Sequence, residues 1–256
     1  MVLVVRARMS EPRELPHNAD AAEIVEWATE RFGSKAAFSC SFGAEDMVLL
    51  DLIARATPGS RGSIRWFTLD TGRLFEETYE LMQTARRRYK LPLEVYAPQA
   101  SELEPMLARG GPNLFYDSVE NRKACCQVRK VAPLARALSG VEAWIVGLRR
   151  EQSTDRGSIE TVSRDPMHQN IWKISPLADW TDGQVQEYLR ARNVPTNPLH
   201  SKGFLSIGCA PCTRAVSPGE DPRSGRWWWE MGVKECGLHH TLSAEGPRPP
   251  ASAGGI

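Results

Sequence analysis

Apolar residues first recur at helical spacing between residues 18 and 32, where Ile24, Trp27 and Ala28 fall on one face. Asp20 and Glu23 carry the spacing of a capping box, and Gly33 supplies a stop. The pattern then shortens. Residues 35–39 form a brief apolar run, residues 41–46 a turn, and residues 47–56 a second helical stretch, which together read as strand, loop and helix. Residues 64–69 predict a second buried strand, 75–89 a helix and 93–96 a third strand, all joined by short connections. Further on, 143–147 and 171–174 read as strands. Thr181 and Gln184 cap a helix that places Val185, Tyr188 and Leu189 on one face. Strands alternating with helices imply an α/β fold built on a mainly parallel sheet with helices on both faces.

After about Asn193 proline and glycine rise, periodicity fades and three of the six cysteines appear. These shifts divide the chain into an N-terminal extension (1–17), an α/β domain (18–200), a cysteine-bearing C-terminal segment (201–242) and a Pro/Gly/Ala/Ser-rich tail expected to be disordered (243–256). No internal repeat is evident.

Composition narrows the function classes. With 41% hydrophobic and 25% charged residues the chain reads as an ordinary soluble globular protein. Lys and Arg number 32 against 31 Asp and Glu, a net charge of +1, so no global field favours nucleic acid or anionic lipid, and any anion site must be local. The apolar Val2-Leu3-Val4-Val5 stops at Arg6, far short of a signal-peptide core or a spanning helix, which makes a cytoplasmic location the expectation. Six cysteines are too few for a disulfide scaffold in a chain of 256 residues, and metal binding or catalysis is the better use for them.

Two loops fall where parallel sheets bind ligands, at the carboxyl ends of predicted strands. Ser39-Cys40-Ser41-Phe42-Gly43-Ala44-Glu45-Asp46 has small residues that let backbone amides approach an anion ahead of a helix N-terminus. It reads equally as a phosphate loop or as a strand-to-helix turn with one glycine. Asp70-Thr71-Gly72 could reach a sugar or base in the same crevice, although alone it reads more simply as a helix cap.

The cysteines are more specific. Cys125 and Cys126 are adjacent within a helical register that continues through Val128, Val131 and Leu134, and Cys209 and Cys212 form a Cys-x-x-Cys in the late loop. Two close pairs of thiolates suit a four-cysteine site, and adjacent ligands fit a cluster of several irons better than one zinc ion. The alternative is a buried helical pair plus a thioredoxin-type redox motif, but that motif normally opens a helix after a strand near the chain start. Cys236, in Glu235-Cys236-Gly237-Leu238-His239, is either a bystander or the mobile thiolate that nucleophilic attack needs. Cys40 reads as a small packed residue, and Trp227-Trp228-Trp229 as packing for the tail. Lys123, Arg129, Lys130, Arg149, Arg150, Arg214, Arg223 and Arg226 gather around the cysteines in sequence, enough for a local anion site.

Taken jointly, these motifs resemble the assimilatory adenylyl-sulfate reductases, the iron-sulfur branch of the phosphoadenylyl-sulfate reductase family. The matching pieces are Ser41-Phe42-Gly43-Ala44-Glu45-Asp46, Leu69-Asp70-Thr71-Gly72, Cys125-Cys126-Gln127-Val128-Arg129-Lys130, Gly147-Leu148-Arg149-Arg150, the run Ser206 to Thr213, and Glu235 to His239, in family order. The resemblance implies an adenine-nucleotide α-hydrolase-like fold with a loop-rich C-terminal tail, and one 4Fe-4S cluster on Cys125, Cys126, Cys209 and Cys212. It implies reduction of adenosine 5′-phosphosulfate to sulfite and AMP, with Cys236 as nucleophile, an S-sulfocysteine intermediate, and thioredoxin or a similar dithiol as reductant. Substrate contacts implied in the same way are Ser39, Ser41, Phe42, Gly43, Asp70, Thr71, Gly72, Lys130, Arg149, Arg156, Arg223, Arg226 and His239. Around Arg156 the chain reads Thr154-Asp155-Arg156 where the family often has Thr-Arg together. No nucleic-acid or membrane partner is expected, and a homo-oligomer is compatible with the reading. The rivals are a reductase of the 3′-phosphorylated nucleotide, an enzyme of dual specificity, and an ATP pyrophosphatase of the same fold. The loop of the last class reads Ser-Gly-Gly-x-Asp-Ser, whereas this chain has Phe42 and Met47 at the differing positions.

Overall fold

A computed structural model describes residues 14–57, 64–152 and 156–231. Helix α1 (Ala21–Phe32) begins with the reciprocal cap that its sequence predicts. Asp20 Oδ1 accepts from the Ala22 and Glu23 amides at 2.9 Å, and Glu23 Oε2 accepts from the Asp20 amide at 2.9 Å. Gly33 closes the helix at φ 51°, a conformation that costs glycine little.

Strand β1 (Ala36–Ser39) lies at the centre of a six-stranded sheet completed by β2 (Arg65–Leu69), β3 (Leu93–Tyr96), β4 (Ala143–Ile145), β5 (Val162–Asp165) and β6 (Ile171–Ile174), in the order β3-β2-β1-β4-β6-β5. All pairings are parallel except β5 with β6. Side chains alternate across the sheet. Ala36 and Phe38 face a large core shared with α1, α2 (Ala44–Ala56), α3 (Glu76–Tyr89) and α7 (Asp182–Ala191), while Ala37 faces a second core containing Phe67, Trp144, Leu134 and Leu138. Both faces of the sheet are therefore covered, as a parallel sheet requires. Asp51, buried on α2, accepts from Arg55 Nε (2.6 Å), Tyr188 Oη (2.9 Å) and Tyr89 Oη (3.1 Å), which ties three helices of the first layer together.

Three elements differ from the sequence expectation. Helix α2 starts at Ala44 rather than residue 47, with Glu45 and Asp46 in its first turn, where the helix dipole favours acids. Helix α4 (Ala100–Gly110) forms despite Pro105 in its interior, the residue that hid it from a reading of sequence patterns. Strand β5 carries Ser163 and Arg164 and has no apolar alternation; it is an edge strand held by pairing with β6 and by Arg164 lying 3.8 Å over Trp172. The register through the first cysteine pair continues as predicted, but not as one α-helix. Helix α5 (Val119–Cys126) passes into a π turn at Gln127–Val131 before α6 (Ala132–Ala137). Among the described residues no helix is long and apolar enough to cross a membrane.

Candidate active site

Strand order reverses between β1 and β4, and the crevice outside the carboxyl ends of such strands is where open α/β sheets bind ligands. Here it is a cavity of about 1030 Å³, lined by Ser39 after β1, Leu69 and Thr71 after β2, and Val146 and Gly147 after β4. Cys40, Ser41 and Gly43 of the following loop line it as well. Phe42 adopts φ 62°, a conformation that costs a bulky residue strain, and it is held there by burial of its ring edge-on to Trp66 at 6.3 Å. Asp46 then closes the loop, its Oδ2 accepting from both the Ser41 amide and the Ser41 hydroxyl at 2.6 Å. Gly147 is required opposite, because a Cβ there would stand 2.3 Å from Asp46 Oδ1.

Burial pushes the Asp46 carboxyl up to about 6, against the lowering effect of the Ser41 hydrogen bonds and with a small further rise from Glu45. The adjoining Cys40 thiol is pushed well above its usual range by burial and by Asp46, and stays neutral. Because the folded pKa of Asp46 exceeds the unfolded one, the folded state holds the proton more tightly. Stability linked to this group is intact below about pH 4 and is lost as pH rises through about 6. Relative to wild type, Asp46→Asn is therefore expected to gain roughly 3 kcal/mol between about pH 4 and about pH 7. Denaturant unfolding at both pH values checks this, and parallel pH dependence of the two proteins would contradict it.

The two ends of the cavity differ in charge. At one end Arg149, only 5% exposed, meets Glu45 at 2.8 Å, Glu151 at 3.2 Å and Asp182 at 3.4 Å. Three carboxylates share one guanidinium, which leaves that end acidic. Lys130 and Arg226 stand instead beside Cys209, with Arg223 one turn before Arg226, whereas Arg156 donates to Gln152 Oε1, which also accepts from the Arg149 amide. Arg226 is 7% exposed, its Nε has no hydrogen-bond partner among the described residues, and its guanidinium lies against Gly208, where a Cβ would come within 2.3 Å of Nη2. Burying a guanidinium with an unmet donor is costly unless an anion completes it.

Beyond Lys130, Cys125, Cys126, Cys209 and Cys212 line a second, smaller cavity together with Phe115, Pro211, Arg73, Arg122, Arg129 and Lys130. It is set in an apolar cluster with Met106, Leu114, Phe115 and Trp227. The π turn after Cys126 brings Arg129 and Lys130 to this wall, and Arg129 Nη1 donates to Thr71 O at 2.6 Å. Burial raises the Cys125 thiol and, with the charge of Cys209, pushes Cys212 up to about 12. Burial also opposes the Cys209 thiolate, but Lys130, Thr71, Arg226 and Arg129 outweigh it and lower that pKa. Four soft sulfur donors in a cation-ringed pocket match the chemistry of an iron-sulfur ligand set, in which bound metal takes over the thiolate charge. Among the described residues no three His, Cys, Asp or Glu side chains close on one ion-sized point; what the four cysteines share is the wall of this cavity.

Residues 35–215 match the phosphoadenosine phosphosulfate reductase domain. The chain belongs to the phosphoadenosine phosphosulfate reductase family. It is 50% identical over 216 residues to a protein of Allochromatium vinosum named adenosine 5′-phosphosulfate reductase, covering 84% of this chain and 82% of the relative. A Burkholderia cepacia protein of the same name is 48% identical over 209 residues, covering 81% of each. Among solved structures, the phosphate complex of phosphoadenylyl-sulfate reductase from Candida auris superposes with a TM-score of 0.65 at 27% identity, covering 78% of this chain and 91% of that one.

In this reductase-family chain the cavity gathers Ser39, Ser41, Gly43, Thr71, Lys130, Arg149, Arg156, Arg223 and Arg226 from the sequence-predicted set. Three predicted residues are not on its lining. The Phe42 ring is in the core, Asp70 accepts from the Gly72 amide (2.8 Å) and Tyr79 Oη (2.7 Å), and Gly72 packs against Arg129. Cys236 and His239 lie outside the described residues. Sequence reasoning missed Trp144, Glu151, Asp182 and His200, all of which line the cavity. Of these only His200 carried a usable signal, as a histidine two residues after Pro198 in the loop-rich segment.

Proposed function

We propose that this chain is an adenylyl-sulfate reductase, which converts adenosine 5′-phosphosulfate and a dithiol to sulfite, AMP and a disulfide in sulfate assimilation and cysteine biosynthesis. The observation that carries this reading is the position of Lys130, which lines both the large cavity and the cysteine pocket. A nucleotide whose phosphosulfate points to Lys130, Arg223 and Arg226 has its anion beside these cations and its adenosine in the crevice beside Ser39 and Gly147. The names of the relatives at 48–50% identity support the unphosphorylated nucleotide as substrate.

In the proposed reaction the Cys236 thiolate attacks the sulfate sulfur, a sulfur–sulfur bond forms, and the bond from sulfur to the phosphate oxygen breaks. AMP leaves with that electron pair. A thiolate of thioredoxin, or of a similar dithiol, then attacks Sγ of Cys236 and expels sulfite. Its second thiol resolves the mixed disulfide and returns Cys236 to the thiol state, so the dithiol is oxidised as the sulfur is reduced by two electrons. AMP is a good leaving group because its phosphate already carries the charge; the protein's work is positioning and charge stabilisation. Cys125, Cys126, Cys209 and Cys212 would hold one 4Fe-4S cluster. When bound, it would supply a crosslink between α5 and the late segment and an electrostatic partner for Lys130, since the dithiol provides both electrons. No disulfide joins the cysteines among the described residues, which suits the reducing cytoplasm.

The test is sulfite and AMP release from adenosine 5′-phosphosulfate and from its 3′-phosphorylated form with reduced thioredoxin, together with iron and sulfide analysis. Turnover of the unphosphorylated nucleotide by an iron-loaded protein is expected. Arg226→Gln should raise KM at least ~10-fold, the worth of a charge-assisted hydrogen bond. ATP consumption with pyrophosphate release and no sulfite would refute the reading.

A further inference from the structure

We infer that Trp144 is a positioning residue for the substrate, its indole N–H fixing the Ser39 hydroxyl as a hydrogen-bond donor into the nucleotide cavity. This rests on the nucleotide reading above. Ser39 ends β1 and Trp144 sits on the neighbouring β4, where Ala37 pairs with Trp144 and Phe38 with Ile145. Trp144 Nε1 donates to Ser39 Oγ at 2.8 Å, and both residues line the cavity.

The direction of this bond is fixed by chemistry. An indole N–H can only donate, whereas a hydroxyl has one proton and two lone pairs. Trp144 takes one lone pair of Ser39, and the Ser39 proton has no acceptor among the described residues. The proton is left for an acceptor inside the cavity, an oxygen or ring nitrogen of the bound nucleotide. Without the indole the hydroxyl would be free to rotate and to present a lone pair instead.

The indole is itself held. Trp144 is 1% exposed, His168 meets its ring edge-on with centroids 5.0 Å apart, and the Lys173 ammonium lies 5.2 Å from the ring centroid. Asp165 joins those two neighbours, 3.0 Å from His168 Nδ1 and 3.4 Å from Lys173 Nζ. The hairpin of β5 and β6 thus braces a donor on the adjacent strand, a task for which phenylalanine has the bulk but not the N–H.

The experiment is a double-mutant cycle on the full-length, iron-loaded protein, read as AMP affinity by calorimetry and as the separate KM and kcat for adenosine 5′-phosphosulfate. Trp144→Phe and Ser39→Ala are each expected to weaken AMP binding roughly 3- to 10-fold, and the double variant to bind no more weakly than Ser39→Ala. KM should rise with kcat unchanged at saturation, and Trp144→Phe should keep the wild-type melting temperature within a few degrees. Wild-type affinity in Trp144→Phe would overturn the inference. So would an equal further loss when Trp144→Phe is added to Ser39→Ala, because ring packing would then be responsible. Should Trp144→Phe fail to fold, Ser39→Ala decides alone, and unchanged AMP affinity overturns the inference. A wild-type protein that binds no AMP would instead remove the nucleotide reading on which it rests.

Discussion

Replacing Cys236 by serine is expected to abolish thioredoxin-dependent sulfite release, by at least ~10³-fold, while leaving AMP affinity unchanged. A thiolate is accessible near neutral pH and a serine alkoxide is not, so under the proposed mechanism the variant loses the attacking group while the cavity lining is unchanged. The large cavity is lined from the β1, β2 and β4 ends and from basic residues of the π turn and late segment, whereas Cys236 lies outside the described residues. Cys236 follows Met231 by five residues, a tether of at most roughly 17 Å when extended. Mass spectrometry of wild type mixed with adenosine 5′-phosphosulfate and no dithiol should show a sulfonate adduct on Cys236, and the serine variant should show none. Normal turnover in the variant would exclude the S-sulfocysteine mechanism, even if sulfite were still the product.

The second large effect concerns the point where that tail begins. Arg122 on α5 and Glu230 form a two-pronged pair, Nε to Oε1 at 2.9 Å and Nη2 to Oε2 at 2.8 Å, with side chains only 5% and 6% exposed. The guanidinium also lies 4.7 Å from the Trp227 ring centroid. Arg122→Leu leaves the Glu230 carboxylate buried without its cation, a loss of about 3–5 kcal/mol. At a few degrees per kcal/mol for a chain of this size, the melting temperature should fall on the order of 10 °C. The double variant Arg122→Leu with Glu230→Leu should recover much of the loss, because two apolar side chains leave no stranded charge. Thermal unfolding of the three proteins measures this, and a double variant no more stable than Arg122→Leu would mean the damage is a cavity rather than a stranded charge. Since the pair joins the helix of the first cysteine pair to residues 227–230, the same variant should also release the proposed cluster more readily to a chelator.

Much of this architecture could be read from the chain itself. The caps at Asp20 and Glu23 and at Thr181 and Gln184 appear as reciprocal hydrogen bonds, because donor and acceptor lie within three residues and the spacing alone brings them together. Alternation of short apolar runs with amphipathic helices likewise set the parallel sheet, since each element's periodicity is local. The cysteine spacing identified two pairs, and tertiary structure placed them on one cavity wall.

What the sequence could not express is who meets whom across the fold. Arg149 reads as an anion ligand, yet Glu45 and Asp182, 104 and 33 residues away, engage it. Asp46 reads as part of a phosphate loop, yet its own carboxylate takes the Ser41 donors once α2 starts at Ala44. Trp144 falls in a predicted strand with no role assigned to it, and only the pairing of β1 with β4 sets its N–H on Ser39. Side-chain type and spacing along the chain determined the elements and the candidate chemistry. The tertiary structure decided which charges are satisfied internally and which remain for a ligand, because electrostatic pairing depends on distance in space, which separation along the chain does not record.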